Sequence, residues 1–316
     1  MASQKIKSAI ANTMLRELGA QLALRVGALV PPPGELATAF PGLTLFRKTA
    51  PTPCYMASVE PSLAIFLQGK KRINIGPDSF FCDDSSFLVS CIDVPIQSQI
   101  IEASEDAPQI AMRLRLDMSK VRDVLGREDL PEIKSGSERR GLAVGQTTTG
   151  LLNAASRLID LLETPEDIPF LGYLIEHEIV YRILKTPQGH RLREIATTGN
   201  LSHRAAKAIA WLSAHYAKPL RVEELADISR MGVSTFHHQF RTLTAMSPLQ
   251  FQKQLRLQAA RQRMLMDGLD ATSAAYEVGY ESVSQFNREY SRMFGQPPMR
   301  DIKSLRDSKV VSIDAA

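Results

Sequence analysis

The sequence predicts an α+β protein: a β-sandwich or barrel with flanking helices, followed by an all-α domain. Between Leu43 and Leu116, apolar and polar residues alternate in short runs, which is the pattern of strands with one buried face. Between Arg221 and Arg300, apolar residues instead recur at helical spacing, and one short pattern occurs twice. A chain of 316 residues, 44% hydrophobic and 23% charged, is long enough for two such globular domains.

An amphipathic helix is predicted over residues 4–25, where apolar side chains recur every four residues. Three consecutive prolines after Val30 end it. Six to eight short strands are then predicted at the spacing of a sandwich or barrel, with a hairpin turn at residues 68–70. The clearest strands are Leu43–Leu45, Leu63–Leu67, Arg72–Ile75, Phe80–Cys82, Phe87–Ser90, Ile96–Ile101 and Met112–Leu116.

Helices are predicted again after the strands, and residues 133–149 form a polar loop between them. The helices are Met118–Leu125, Leu151–Leu162, Phe170–Lys185 and Leu201–Ala217. Those before residue 186 fit either a two-helix dimer seam or packing on the outside of the barrel. Residues 197–200 predict a linker, so the first domain spans residues 1–198 and the second 199–306. Residues 307–316 are expected to form a flexible tail.

The repeated pattern predicts two helix-turn-helix units, over Val222–Arg241 and Ala271–Tyr290. Each has a short helix, a turn with glycine, and a second helix whose aromatic residues recur at i and i+4 and pack inward. The polar outer face of such a second helix can enter the major groove of DNA. Between the units, Pro248–Met266 predicts a linker helix about 28 Å long. Successive major grooves repeat every ~34 Å on one side of the duplex, so one chain can reach two of them.

The outer faces carry side chains that can read DNA bases, since arginine suits guanine, asparagine or glutamine suits adenine, and valine suits the thymine methyl. The candidate base readers are Ser234, Thr235, His237, His238, Arg241, Val283, Ser284, Gln285, Asn287 and Arg288. The candidate phosphate contacts are Ser282, Arg256, Arg261 and Arg292, some of which can instead pair with nearby glutamates. His237 and His238 are adjacent, about 100° apart on a helix, which argues against a shared zinc ion.

Charge is distributed unevenly along the chain. Residues 201–316 contain 16 Lys and Arg against 11 Asp and Glu, whereas residues 1–200 contain 22 against 23. The excess positive charge therefore lies in the half with the repeated units, as phosphate contact requires. A protein that binds DNA without sequence preference is the alternative, but base-edge polarity on two faces weighs against it.

Several other classes of protein are disfavoured. All six histidines lie at residue 177 or beyond, so the strand-rich region has none to ligate a metal. No nucleophile–base set or phosphate loop is present, so neither an enzyme nor a cofactor is predicted. The barrel interior is either a small-ligand pocket or a filled core. Cys54, Cys82 and Cys91 fit a reducing compartment, as core residues or as a redox-sensing pair. No apolar run reaches the ~20 residues that span a bilayer, so we expect a cytoplasmic protein with no membrane partner.

Residues 205–305 resemble the DNA-binding domain of AraC/XylS-type transcription regulators. The resemblance rests on Leu225-Ala226, Ser234–Phe240, Ser247-Pro248, Arg256-Leu257 with Ala260, Val278–Ser282, Phe286 with Arg288, and Phe294–Pro298. In one respect the chain departs from the repeat: the place of Gly279 in the second turn is taken by Arg230 in the first. A non-glycine residue in a left-handed turn costs roughly 1 kcal/mol, so the first turn is expected to have a different shape.

Residues 30–195 resemble the cupin-like sensor domain found ahead of some AraC-type regulators. The matching blocks are Val59–Ser62, Leu67–Lys70, Leu88–Ser90, Asp93–Pro95 and Leu114–Leu116. The resemblance implies a sequence-specific transcription regulator, controlled through its N-terminal domain by a small-molecule effector or by dimerisation. Its implied partners are double-stranded DNA, an effector, a second copy of the chain and RNA polymerase.

Overall fold

Two antiparallel sheets form the N-terminal unit. The computed structural model describes residues 2–127 and 140–311, and within these ranges it contains ten strands. They are β1 (Gly34–Ala37), β2 (Leu43–Lys48), β3 (Tyr55–Val59), β4 (Ser62–Gln68), β5 (Lys70–Ile75), β6 (Asp78–Cys82), β7 (Ser86–Ser90), β8 (Val94–Glu102), β9 (Gln109–Arg115) and β10 (Leu142–Gln146). The larger sheet has the order β1-β2-β9-β4-β7-β10, and the smaller has the order β3-β8-β5-β6.

Helices surround this unit. They are α1 (Ala2–Leu29), α2 (Met118–Leu125), α3 (Thr149–Asp160), α4 (Tyr173–Leu184) and α5 (Gly189–Ala196). A 3-10 turn over Pro165–Asp167 and a π-helical turn over Ile168–Gly172 connect α3 to α4. Helix α1 packs against α3 and against β2, β4 and β9 of the larger sheet.

The pleat gives the larger sheet two different faces, because successive side chains on a strand point to opposite sides. Leu45, Ile65 and Met112 are cross-strand neighbours and form part of one face, where they are buried. Phe46 and Phe66 both pair with Ala111 and belong to the opposite face, which lines the space between the two sheets. The face that carries Phe46 and Phe66 is therefore the one turned toward the interior of the sandwich.

The C-terminal unit is all-helical. Its elements are α6 (Leu201–Ala214), α7 (Val222–Ile228), α8 (Val233–Thr244), α9 (Pro248–Met266), α10 (Ala271–Glu277), α11 (Val283–Phe294) and α12 (Pro298–Val311). The chain divides into two compact units, Met1–Ala206 with Thr242–Ala245 and Lys207–Arg241 with Met246–Ala316. The first boundary therefore lies inside α6 and not at the predicted linker 197–200.

Helix α9 contributes to two hydrophobic clusters in this unit. Near its start, the ring of Phe251 meets Phe240 of α8 edge-on, at 5.3 Å between centroids. Further along, Leu257, Ala260 and Met264 are buried in a second cluster with α10, α11 and α12. Helix α9 thus packs against both helix-turn-helix units.

The α+β class predicted from the sequence is confirmed, and several elements differ from the prediction. Strand β10 lies inside the predicted loop 133–149, of which residues 133–139 fall outside the described residues. Strands β1 and β3 and helix α5 were not predicted. Helix α12 continues to Val311, so residues 307–311 are helical and not a tail; residues 312–316 lie outside the described part. Among the described residues, no helix is both long and apolar enough to cross a membrane.

Candidate nucleic-acid interface

The turns of the two helix-turn-helix units begin in the same way, at the end of each first helix. In the first, the backbone N–H groups of Arg230 and Met231 donate to Asp227 and Ala226, at 2.9 and 3.0 Å. In the second, the N–H groups of Gly279 and Tyr280 donate to Tyr276 and Ala275, at 3.0 and 2.9 Å. The hydrogen-bonding pattern is therefore the same in both copies.

Arg230 has the left-handed backbone that glycine supplies in the second unit. Its φ is 51°, and that of Gly279 is 89°. The first turn thus keeps the left-handed conformation at Arg230 despite its cost of roughly 1 kcal/mol. It still differs in shape from the second turn, because residues 229–232 separate α7 from α8, whereas residues 278–282, one residue more, separate α10 from α11. A non-glycine residue in the first unit also corresponds to a glycine in the second unit after the second helix, where Ala245 has φ 63° and Gly295 has φ 81°.

The second helix of each unit is held by its aromatic face. Phe236 and Phe240 of α8 are fully buried, with ring centroids 5.5 Å apart. Phe286 and Tyr290 of α11 are equally buried, also with centroids 5.5 Å apart. An i, i+4 pair fixes which side of each helix faces the core, and so it also fixes which side faces solvent.

The side chains predicted to read bases lie on those solvent faces. Of the predicted readers, those exposed are Ser234, Thr235, His237, His238 and Arg241 on α8, and Ser284, Gln285, Asn287 and Arg288 on α11. Val283 is half-buried. The structure thus groups the readers into two polar faces, one on each second helix.

The N-terminus of α11 provides a place for an anion. The Ser282 hydroxyl caps the helix by accepting from the backbone N–H of Gln285, at 3.3 Å. The unpaired N–H groups at a helix N-terminus carry partial positive charge and suit a phosphate. Arg292 lies exposed in the last turn of the same helix.

Arg256 has a different role from the one predicted. Its guanidinium donates to the carbonyls of Tyr216, Ala217, Lys218 and Gly279, at 2.7 to 3.1 Å. Partial burial lowers the pKa of this group from its ordinary value. These bonds tie the end of the α6 segment to the second turn, and we withdraw Arg256 from the phosphate contacts.

Arg261 is also held within the domain. Two of its nitrogens donate to the two carboxylate oxygens of Asp301, each at 2.8 Å, and its guanidinium lies 4.4 Å from the Phe294 ring centroid. The Tyr290 hydroxyl donates to the same carboxylate, at 2.7 Å. A bidentate pair of this kind fixes α12 against α9, so we withdraw Arg261 as well.

Glu289, a glutamate of α11, connects this helix to α9. It accepts from the Tyr280 hydroxyl at 2.8 Å and from Gln285 at 3.3 Å, and it lies 3.4 Å from the Lys253 ammonium. Gln285 is therefore partly engaged within the protein before any DNA is bound.

A cavity of about 260 Å³ lies between the two sheets of the N-terminal unit. The sequence left open whether this interior is a pocket or a filled core, and the structure shows a pocket. Cys82 and Cys91 are buried and Cys54 is exposed. Across the described ranges, no group of three or more His, Cys, Asp or Glu side chains is arranged to hold a metal ion.

Two family models match the chain in order. A model described as "AraC-type transcriptional regulator N-terminus" matches residues 39–191. A helix-turn-helix domain model matches residues 225–303.

Among curated proteins, the chain is similar to the HTH-type transcriptional activator RhaS. It is 27% identical to RhaS of Escherichia coli O1:K1 over 160 residues, which is 50% of this chain and 56% of RhaS. It is 26% identical to RhaS of an Enterobacter species over 184 residues, which is 57% of this chain and 63% of that protein. The chain thus spans less than two thirds of the length of these relatives.

Among solved structures, the chain is similar to ToxT from Vibrio cholerae. Unsaturated fatty acid-bound ToxT has a TM-score of 0.52 and 11% identity, covering 83% of this chain and 93% of that one. ToxT bound to (E)-4-(8-methylnaphthalen-1-yl)but-3-enoic acid has a TM-score of 0.56 and 13% identity, covering 82% and 97%. At such identities the likeness concerns the fold.

Proposed function

Because this chain belongs to the AraC-type transcriptional regulators, we propose that it is a sequence-specific regulator that reads double-stranded DNA with α8 and α11. The observation that carries the proposal is the duplicated unit: the same hydrogen-bonded, left-handed turn ends each first helix, and each second helix buries its aromatics and exposes a polar face. The names of the curated relatives, which are transcriptional activators, support regulation and not catalysis.

Helix α9 suits the role of spacer between the two reading helices. Its 19 residues span about 28 Å, and residues near both ends are buried in the clusters of the two units. A spacer of this length fits two faces that address successive major grooves, about 34 Å apart.

Within α11, we assign different roles to two arginines. Arg288 is exposed beside Asn287 and has no salt-bridge partner among the described residues, so it can donate to guanine. Arg292 and the α11 N-terminus at Ser282 are assigned to phosphate, which positions the helix without reading sequence.

The experiment compares Arg288→Ala with Arg292→Ala on a site selected from random duplexes. We expect R288A to lose about 1–3 kcal/mol on the selected site and to relax preference at one base pair. We expect R292A to weaken binding on all sequences alike and to reduce the salt dependence by about one charge. A uniform loss in R288A would refute its reading role.

We propose that the protein acts as a homodimer in the cytoplasm. Phe170, Tyr173 and Leu174, on the turn before α4 and at its start, are 72%, 50% and 51% exposed. Neighbouring exposed apolar side chains mark interaction surfaces. Phe170→Asp with Leu174→Asp is expected to shift the sedimentation coefficient from dimer to monomer; a dimer that persists would place the interface elsewhere.

The regulated step is transcription, so RNA polymerase is the further partner that we propose. Run-off transcription with purified polymerase from a promoter that carries the selected site tests this. A change in transcript yield in either direction supports a regulator, and an unchanged yield at saturating protein contradicts it.

The N-terminal unit is proposed to receive a small-molecule effector in the cavity between its sheets.

A further inference from the structure

The cavity between the sheets has an apolar body. Phe46 and Phe66 line it from the larger sheet, and Ile73, Ile96 and Ile100 line it from the smaller one. At about 260 Å³ it falls just below the range of drug-sized pockets, so it suits a small molecule.

One end of the cavity is cationic. Lys48 of β2 and Gln109 of β9 are directly paired across the larger sheet, and both line the cavity. Gly69 packs closely on Gln109, since a Cβ placed on it would lie 2.9 Å from the Gln109 Cα. Lys71, which also lines the cavity, follows Gly69 by two residues. Lys48, Lys71 and Gln109 therefore belong to the same end of the sandwich, and we call them the cationic end.

The positive charge of the lining is not balanced within the protein. Lys48, Lys71 and Arg113 line the cavity, and none is in a salt bridge among the described residues. Arg113 lies over the Phe46 ring, at 5.2 Å. Glu35 is the one acid among the described residues that line the cavity, and it is exposed to solvent. The charge excess favours an anionic occupant.

Two buried polar groups of the lining have no partner. Within the described part of the chain, the Gln109 side-chain amide nitrogen and the Ser98 hydroxyl are buried without a hydrogen bond. Those residues are 3% and 1% exposed, so bulk solvent does not satisfy them. Leaving such groups unpaired is unfavourable, and an amide N–H₂ is satisfied only by an acceptor.

These polar groups are almost all donors, which distinguishes between ligand classes. Lysine, arginine and the amide nitrogen only donate, and serine can donate. A carboxylate only accepts, so it matches this set. A neutral sugar brings as many donors as acceptors, and its hydroxyl hydrogens would face cations.

We propose that the effector is a small carboxylic acid with an apolar body, its carboxylate held by Lys48, Lys71 and Gln109 and its body between Phe46, Phe66 and the isoleucines. This rests on the proposed function, in which the N-terminal unit carries an effector site. Ser98 lies on the inner face of β8, where it pairs with Ile73, and donates to the bound molecule from that side.

The test measures ligand binding by the full-length protein with chosen probes. Sodium benzoate and sodium hexanoate are expected to raise the Tm and to give a calorimetric binding isotherm. Methyl benzoate, which keeps the ring and lacks the charge, is expected to bind at least tenfold more weakly, and D-glucose is expected not to bind.

Two adjacent lysines of β5 provide a matched pair of variants. Lys71→Met is expected to weaken benzoate and hexanoate binding about tenfold or more, and Lys48→Met to act likewise. Lys70→Met is the control, because Lys70 points to the opposite face and pairs with Glu102 at 3.6 Å. Ser98→Ala keeps the test valid if a lysine variant fails to fold.

The outcomes separate this inference from the proposed function. If neither carboxylate binds at millimolar concentration, or if K70M and K71M lose affinity equally, the inference is overturned. Binding of D-glucose in place of the acids would overturn it as well. Selection of a DNA site by the same preparation shows that the proposed function stands in each of these cases; failure to select any site would remove the function independently of the ligand result.

Discussion

Gly279 has both a left-handed backbone and a close contact with neighbouring backbone atoms, two features that occur separately elsewhere in the chain. Its backbone is left-handed, and a Cβ on it would overlap the carbonyl oxygen of Ala217. Gly295 is also left-handed, but nothing lies within 4 Å of the position a Cβ would take. Arg230 shows that the first demand alone can be met by a residue other than glycine.

We therefore expect alanine at these two positions to lower the free energy of unfolding by unequal amounts. Gly295→Ala should lower the free energy of unfolding by about 1 kcal/mol, the left-handed cost alone. Gly279→Ala should lose a further ~1–3 kcal/mol, because the neighbouring backbone has to move. Urea unfolding of both variants checks this, and equal losses would show that the contact with Ala217 is not tight in solution.

The sequence could predict which candidate base-reading side chains are exposed, but it could not predict the contacts that Arg256 makes within the protein. Aromatic residues at i and i+4 determine which side of α8 and of α11 is buried, so the exposed residues follow from spacing alone. Arg256 instead meets carbonyls of residues 216–218, nearly forty positions earlier in the chain. No local pattern reports that approach, since it arises only when α9 packs against the end of the preceding segment.

Among the elements, α9 organises the C-terminal unit. Ser247 and Gln250 form a reciprocal capping box at its start, and Pro248 occupies the first turn. Gln252 donates to the carbonyls of Tyr216 and Lys218, and Arg256 extends the same set of bonds one turn later. The helix thus satisfies the free carbonyls at the end of the preceding segment.

Loss of Arg256 should therefore destabilise the protein more than loss of an exposed arginine. Arg256→Met is expected to cost more than about 2 kcal/mol, since four carbonyls lose a charged donor. Arg292→Met, at an exposed site, should stay within about 0.5 kcal/mol of the wild type. Thermal unfolding monitored by circular dichroism measures both. An R256M protein of wild-type stability with weakened DNA binding would return Arg256 to the phosphate contacts.

The contact between α11 and α9 through Glu289 should depend on pH. Burial opposes ionisation of this carboxyl, but its hydrogen bonds with Tyr280 and Gln285 and the nearby Lys253 outweigh burial and lower the pKa of Glu289. A carboxyl whose pKa is lower in the folded state stabilises it above the unfolded pKa of ~4.3 and loses that effect as pH falls through the folded value.

Glu289→Gln is accordingly expected to be less stable than the wild type at neutral pH. Its free energy of unfolding should also fall less than that of the wild type between about pH 5 and pH 3. Urea titrations across this range measure the difference. An acid dependence identical in the two proteins would mean that Glu289 is not linked to folding.

The elements that the sequence did not predict have local causes. Strand β10 is short, follows Gly141 and contains Gly145, so its apolar residues are too few to show an alternation. It is stabilised by pairing with β7, a partner more than fifty residues away. The helices of the C-terminal unit were predictable because each spans enough turns, or repeats a pattern often enough, for a period of 3.6 to emerge.

At the scale of the whole molecule, the charge distribution and the arrangement of elements indicate different roles for the two halves of the chain. The half with two helix-turn-helix units carries the excess of basic residues, and the half with two sheets carries a cavity. Phosphate attraction supplies affinity, and the two polar faces supply discrimination between sequences. If the two polar faces act together in this way, both of them must read one continuous DNA site.

Selection of binding sites from random duplexes, followed by sequencing of the bound fraction, tests this requirement most directly. We expect two preferred blocks of bases separated centre to centre by about one helical turn, ~10 base pairs. We also expect that Arg288→Ala relaxes one block only, while His237→Ala with His238→Ala relaxes the other. Absence of any enrichment over the starting pool, or a single block lost equally in both variants, would contradict the reading of one site by both faces.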